Sequence, residues 1–435
     1  MLQDHHTNNL RSVKRRRFVF SCLLAVGVLA TLELTLQGVA IAFPQIGKLL
    51  GASIATEGHP STVQDDLLGH RPKPLYRDHD ERGYRNRKAL NKADIVCLGD
   101  SQTYGKGVEC EEAWPHQLSL ETGRSVYNIS FGGWGPTQSE VLIDQTVLLQ
   151  PKLVIVGFYS GNDLYDCYHM TYFRKSTKYR TPDSTLAEQL NALDKHQTIA
   201  ELAKINILRI KQLNHYPGAA PPATELFGWN FMDVRKTLSQ HCRLYGLARG
   251  IKNISSISPT SPANNSLTTD QQWRRLLDKA AHSGGKWEVV QTDTTRTILT
   301  PEFRLVGVNM SDPRIAEGHR IALASLMEIQ RKLKQQRIAY VVALIPSKEL
   351  VFHPWLDAPS KTMSAVVEYE ARMWKQTKHL LTDKAVAHID LLPALRQAVK
   401  DGQQPYPIGV DDHPNALGHA AISRALYERI NADAK

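Results

Sequence analysis

Three nearly unbroken apolar runs, each followed by a short turn and then by a helical pattern, constrain this chain more than any other feature. They are residues 95–98 (Ile-Val-Cys-Leu), 153–159 and 338–345. None alternates apolar with polar residues, and a strand covered on both faces has no need to. Residues 125–131 and 386–391 read as two further strands. Helices are expected from Pro136 and over 321–334, 364–381 and 416–430. Pro136 suits a first helical position, where its missing N–H costs nothing, and Val141, Leu142, Leu148 and Leu149 follow on one face. Asn415 is a natural N-cap for the last helix. Strands and helices alternating at these lengths predict an α/β fold, a doubly wound parallel sheet with helices on both faces. The rhythm lapses over residues 164–317, which reads as a large helical insertion. Within it, 186–213 is the best helix, 217–222 is proline-rich, and 253–270 is a long Ser/Asn/Pro loop.

The 53 Lys and Arg exceed the 43 Asp and Glu by 10. Part of that excess is one block, Arg11 and Lys14 to Arg17, directly before an apolar run at 18–43. At about 1.5 Å per residue such a run crosses roughly 30 Å of hydrocarbon. The basic block would hold the amino terminus in the cytoplasm. The expected organisation is a cytoplasmic 1–17, a transmembrane anchor at 18–43, a stalk over 44–90, and an exported domain over 91–435 that carries the insertion. Glu33 and Gln37 interrupt the apolar run, so a signal peptide cleaved near Ala40-Ile41-Ala42 competes with the anchor. A buried core helix fits the basic flank least. Topology accounts for the densest basic cluster, so nucleic acid is not an expected partner. The five cysteines (Cys22, Cys97, Cys110, Cys167, Cys242) form no Cys-x-x-Cys pair and no zinc-ligand spacing, so no structural metal is expected and no disulfide is assigned.

In a doubly wound sheet the chemistry belongs just after the strands. Gly99-Asp100-Ser101 follows the first, where a serine on a tight strand-to-helix turn can expose its hydroxyl beside backbone N–H groups. Gly132-Gly133-Trp134-Gly135 follows the second, and its glycines permit close backbone approach to a ligand. Ser160-Gly161-Asn162-Asp163 follows the third, with an amide side chain able to face an oxyanion. Asp411-Asp412-His413-Pro414-Asn415 precedes the last helix, where a carboxylate could hold the histidine in one tautomer as a base. Each segment alone also reads as an ordinary turn or helix cap. His419 reads as a packing residue, and Lys348 as a solvated loop charge rather than a substrate contact.

Taken together and in this order, the segments resemble the motifs of the SGNH/GDSL hydrolase family. The serine block is similar at Gly99-Asp100-Ser101 with Thr103 and Gly105, the glycine block at Asn128 through Gly135, the third at Gly161-Asn162-Asp163, and the histidine block at Asp411 through Asn415. The resemblance covers roughly residues 77–163 and 318–431. It implies a three-layer α/β/α hydrolase, with Ser101 as nucleophile and His413 as base. It also implies oxyanion donors at the Ser101 N–H, the Gly133 N–H and the Asn162 side chain. Asp411 is expected to orient His413, although many members place that aspartate three residues before the histidine, where this chain has Val410. Asp100, Asp163 and Asp412 stand beside these as supporting residues, with Asp412 in reserve for Asp411. Ser130 stands where a glycine is often found.

The implied chemistry is cleavage of an O-acyl, foremost O-acetyl, ester through an acyl-enzyme, with no metal or organic cofactor. The substrate would be an acylated small molecule or glycan. Two alternatives remain open: transfer of the acyl group to an envelope polysaccharide, supplied by a membrane acyl-donor protein, and a non-catalytic glycan-binding scaffold.

Overall fold

The computed structural model describes residues 61–174, 178–199, 201–202 and 269–432, together with 20–21, 24, 27–28, 31–37, 225–226 and 229–230. The chain divides into two units, residues 1–60 with 218–266 and residues 61–217 with 267–435. In the first unit the described residues between 20 and 37 are helical, and Glu225–Leu226 pairs antiparallel with Trp229–Asn230. Among the described residues no helix is long and apolar enough to cross a membrane. Much of the expected anchor, residues 44–60 of the expected stalk, the 217–222 segment, the 253–268 loop, Cys22 and Cys242 lie outside the described residues.

The second unit is built on one parallel sheet of β1 (Ile95–Gly99), β2 (Val126–Ser130), β3 (Leu153–Tyr159), β4 (Ala339–Ile345) and β5 (Ala387–Asp390), in the order β5-β4-β3-β1-β2. Side chains alternate across the strands between two cores. Val96, Leu98, Val154, Val156, Phe158, Val342 and Leu344 enter one. Ile95, Cys97, Ile155, Ala343 and Ile345 enter the other. Both cores are closed by helices, and this is why the strands read as unbroken apolar runs. The first core is covered by α3 (Pro136–Val141), α4 (Ile143–Val147), α5 (Asp163–Phe173), α7 (Pro313–Gln335) and α8 (Lys361–Asp383). The second is covered by α2 (Trp114–Thr122), α9 (Leu392–Lys400) and α10 (Ala416–Ala432). Asn415 caps α10, its Oδ1 accepting the N–H groups of Leu417 (3.0 Å) and Gly418 (3.2 Å). Cys97, Cys110 and Cys167 are buried free thiols.

Several expectations are corrected. Residues 61–90 are not a stalk: they belong to the α/β unit, opening with a hairpin of Thr62–Asp65 and Gly69–Pro72. Two of the charges that make this stretch look solvated, Asp80 and Arg85, are buried and hold turns of the unit. The Arg85 guanidinium donates to Gly105 O (2.5 Å) and Val108 O (2.6 Å), and Asp80 Oδ2 accepts from Tyr127 Oη (2.7 Å). Leu142 and Leu149 are buried while Val141 and Leu148 are exposed, because adjacent helical residues stand about 100° apart and only one of each pair can face the core. The helix expected at 321 starts at Pro313, with Asp312 as its N-cap. In the expected insertion, a helix runs Ser184–His196 and so covers 186–196 of the 186–213 segment. Its carboxyl-terminal part is ordered too, as helix Thr269–Ala281, hairpin Glu288–Gln291 with Arg296–Leu299, and α6 (Pro301–Val308).

Candidate active site

The strand order turns about β1 and β3, since the chain leaves β1 toward β2 on one side and returns to β3 on the other. Such a switch point opens a crevice at the carboxyl ends of the two strands. Ser101 lies there, at the start of the one-turn helix α1 (Ser101–Tyr104). Gly99 has φ +151°, and a Cβ on it would lie 2.4 Å from Thr103 Oγ1, so the turn demands glycine. Asp100 caps α1, its Oδ1 accepting from Gln102 N at 2.9 Å.

The loop before α10 brings His413 to this turn. His413 Nε2 lies 2.9 Å from Ser101 Oγ, and its Nδ1 lies 2.6 Å from Asp411 Oδ1. A carboxylate only accepts, so Nδ1 carries the proton and Nε2 is left to accept from the serine hydroxyl. Asp411 also accepts the His413 backbone N–H at 3.1 Å. Asp412 Oδ1 is farther from Nδ1, at 3.4 Å, and its Oδ2 accepts from Tyr159 Oη (3.0 Å) and pairs with Arg304. Burial opposes charge on His413, but Asp412 and Asp411 outweigh it and raise its pKa above the ordinary 6.5. Burial likewise opposes ionisation of both aspartates, yet His413 holds Asp411 below its usual range, and Arg304 with His413 does the same for Asp412. Asp411, Asp412 and His413 are close enough to share a cation, but the histidine nitrogen and the Asp412 carboxylate already have these partners.

Gly132 stands beside the serine, since a Cβ on it would lie 3.7 Å from Ser101 Cβ. Gly133 follows with φ +76°. Asn162 lies just past β3, and its Nδ2 donates to Asp166 Oδ2 at 2.5 Å, leaving one amide hydrogen for another acceptor. Asp163 turns back from the site to take the Tyr159 N–H at 2.9 Å. Asp100 Oδ2 and Asp163 Oδ1 are buried without a hydrogen-bond partner among the described residues. Burial pushes Asp100 up to about 6 and Asp166 up to about 8, and it raises Asp163, on which Asp100 also acts. Ser130, at the expected glycine position, donates to Asn128 Oδ1.

Several residues at the site escaped sequence reasoning. Arg304 on α6 is 1% exposed, with Nε 3.0 Å from Glu349 Oε2 and Nη2 on Asp412. Gly161 makes room for it: a Cβ there would lie 2.0 Å from Arg304 Nη1. The one hint in the sequence is a lone arginine inside the apolar stretch Phe303 to Val308. Lys348 is a correction, since it is buried rather than solvated. Its Nζ donates to Gly409 O (2.7 Å) and Asp411 O (2.9 Å), and burial lowers it to about 8 against the pull of Glu349, Asp412 and Asp411. His419 is a packing residue as expected, accepting Trp114 N–H at 3.3 Å. The hairpin at 288–299 grips the histidine loop through Thr295 Oγ1 to Gln403 O (3.2 Å) and Thr297 Oγ1 to Pro407 O (2.8 Å). Ile408 and Val410 of that loop pack on Trp273, Trp287 and Ile298.

No family model matches the chain, and no curated protein matches it. Among solved structures it is similar to a putative lipolytic protein of the G-D-S-L family from Desulfitobacterium hafniense DCB-2, at 11% identity over 77% of this chain and 97% of that one, with a TM-score of 0.32. It is also similar to phospholipase A1 from Streptomyces albidoflavus NA297, at 11% identity over 78% and 99%, TM-score 0.34. A third is the extracellular lipase of Streptomyces rimosus, at 12% identity over 79% and 99%, TM-score 0.34.

Proposed function

We propose that the protein is a serine esterase of the SGNH/GDSL type that cleaves an O-acyl ester through an acyl-enzyme on Ser101. The observation that carries this reading is the chain of contacts from Ser101 Oγ to His413 Nε2 (2.9 Å) and from His413 Nδ1 to Asp411 (2.6 Å). His413 takes the serine proton as Oγ attacks the ester carbonyl. The tetrahedral oxyanion is held by the Ser101 N–H, the Gly133 N–H and the Asn162 amide, each worth about 3–4 kcal/mol of transition-state stabilisation. The C–O bond then breaks, His413 returns its proton to the leaving alkoxide, and water deacylates the serine by the same route. An O-acetyl group on a small molecule or glycan is the favoured substrate. Residues 18–43, behind their basic block, would anchor this domain outside the cytoplasm.

The test is release of p-nitrophenol from p-nitrophenyl acetate by the full chain, compared with Ser101→Ala and His413→Ala, with and without an oligosaccharide acceptor. Activity abolished by both substitutions is expected. Acetyl found on the oligosaccharide would recast the enzyme as a transferase. Equal inertness of wild type and Ser101→Ala, with no fluorophosphonate labelling of Ser101, would sink the reading.

A further inference from the structure

The peptide that joins Gly132 to Gly133 is held from its far side by a residue outside every segment that resembles a motif. His70 lies on the strand Gly69–Pro72 of the amino-terminal hairpin, and its Nε2 is 2.9 Å from Gly132 O. A carbonyl only accepts, so this nitrogen is the donor. The hairpin is tied to the same loop twice more. Trp134 Nε1 donates to His70 O at 3.1 Å, and the imidazole sits against Phe131 and Trp134 with ring centroids 5.7 and 6.4 Å away.

The described peptide bonds include no cis bond, so the Gly132–Gly133 unit is trans and its C=O and N–H point in opposite directions. One side of this unit therefore meets His70, and the other presents the Gly133 N–H. Gly132 faces Ser101 and Gly133 faces His70, the hypothetical Cβ atoms lying 3.7 Å from Ser101 Cβ and 3.6 Å from His70 Cε1. A peptide flanked by two glycines has little steric resistance to flipping, because both signs of φ are open to Gly133. The same freedom that lets the backbone approach a substrate would let the N–H swing away from it.

We propose that His70 is a positioning residue of the oxyanion site. By donating to Gly132 O it fixes the peptide with the Gly133 N–H turned toward the developing charge. By polarising the carbonyl it also strengthens that N–H as a donor. This rests on the esterase reading. The hairpin is thereby part of the catalytic machinery rather than a spacer before it.

The experiment uses the full chain and compares His70→Leu, which removes the donor, with His70→Gln, whose amide nitrogen can reach the same carbonyl. Three readings are taken: kcat and KM on p-nitrophenyl acetate, the rate at which a fluorophosphonate labels Ser101, and inhibition by phenylboronic acid, whose serine adduct carries the oxyanion. His70→Leu is expected to lower kcat and the labelling rate roughly 10- to 100-fold and to weaken boronate binding in parallel, with KM nearly unchanged. His70→Gln is expected to recover most of the loss. A purely structural latch would instead lower the melting temperature and leave the rate of the folded fraction intact, and that result overturns the proposal. So does a folded His70→Gln as slow as His70→Leu. Should His70→Leu not fold, His70→Asn, one methylene too short to reach Gly132 O, takes its place with the same outcomes. Wild-type protein that is neither active nor labelled at Ser101 removes the esterase reading and this proposal together. A Ser101-dependent wild type unaffected by His70→Leu removes only the proposal.

Discussion

Asp411 and Asp412 are neighbours in sequence with opposite tasks. Asp411 is half exposed and faces His413 Nδ1, while Asp412 is drawn away by Arg304 and Tyr159. Both raise the pKa of the histidine. As the proposed base, His413 works only when neutral, so kcat/KM should fall as pH drops through a value above the ordinary 6.5, and a pH–rate profile places that limb. Asp411→Asn should cut kcat by up to about four orders of magnitude through loss of the correct tautomer, and the limb of the residual activity should move toward lower pH. Retention of full activity would transfer the orienting role to Asp412. These residues were legible because the segments that carry them, taken together and in order, resemble a family's motifs, while each alone reads as a turn or a cap. What Asp412 does instead of orienting the histidine was not legible, because it depends on Arg304, 108 positions away, and no local pattern connects the two.

At the level of elements, the strands were readable because both faces of the sheet are dry. The hairpin at 62–72 and the elements at 269–308 were not. Their polar and charged residues make the sequence look solvated, yet four of them, His70, Thr295, Thr297 and Arg304, hold loops elsewhere. α6 is the clearest case: its single arginine spans two carboxylates beneath the histidine loop, and Gly307 lies so close to the Gly161 turn that a Cβ on it would come 2.1 Å from Gly161 O. Replacing Arg304 with Met would leave Asp412 and Glu349 without their cation, and urea unfolding should register a loss of about 3–5 kcal/mol. Arg304→Lys should rescue little of it, because an ammonium is a point charge and cannot bridge both carboxylates as a planar fork does. A full rescue by lysine would mean that charge alone, not the bridging geometry, holds the loop.

For the molecule as a whole, three acids buried behind the serine turn tie stability to pH. Asp100, Asp163 and Asp166 all have raised pKa values in the folded state, two of them to about 6 and about 8. The unfolded chain releases these protons near pH 4, so their contribution is complete below that and is lost as pH rises through about 6 to 8. Melting temperature should therefore decline between pH 5 and 9. Asp166→Asn, whose amide oxygen can still accept from Asn162, should flatten that decline, and an unchanged slope would remove Asp166 from the account.

The clasp around the histidine loop also bears on how small such a protein could be made. A chain trimmed to the stretches that resemble a family, 77–163 and 318–431, would keep Ser101, Gly133, Asn162, Asp411 and His413 intact. It would lack His70, Arg304 and the hairpin whose threonines hold residues 403 and 407. Every recognisable letter of the active site would survive in it, but the donor on Gly132 O, the arginine on Asp412 and the threonine clasp on the histidine loop would all be gone. For this fold, a minimal enzyme drawn from its motifs alone would be legible and inert.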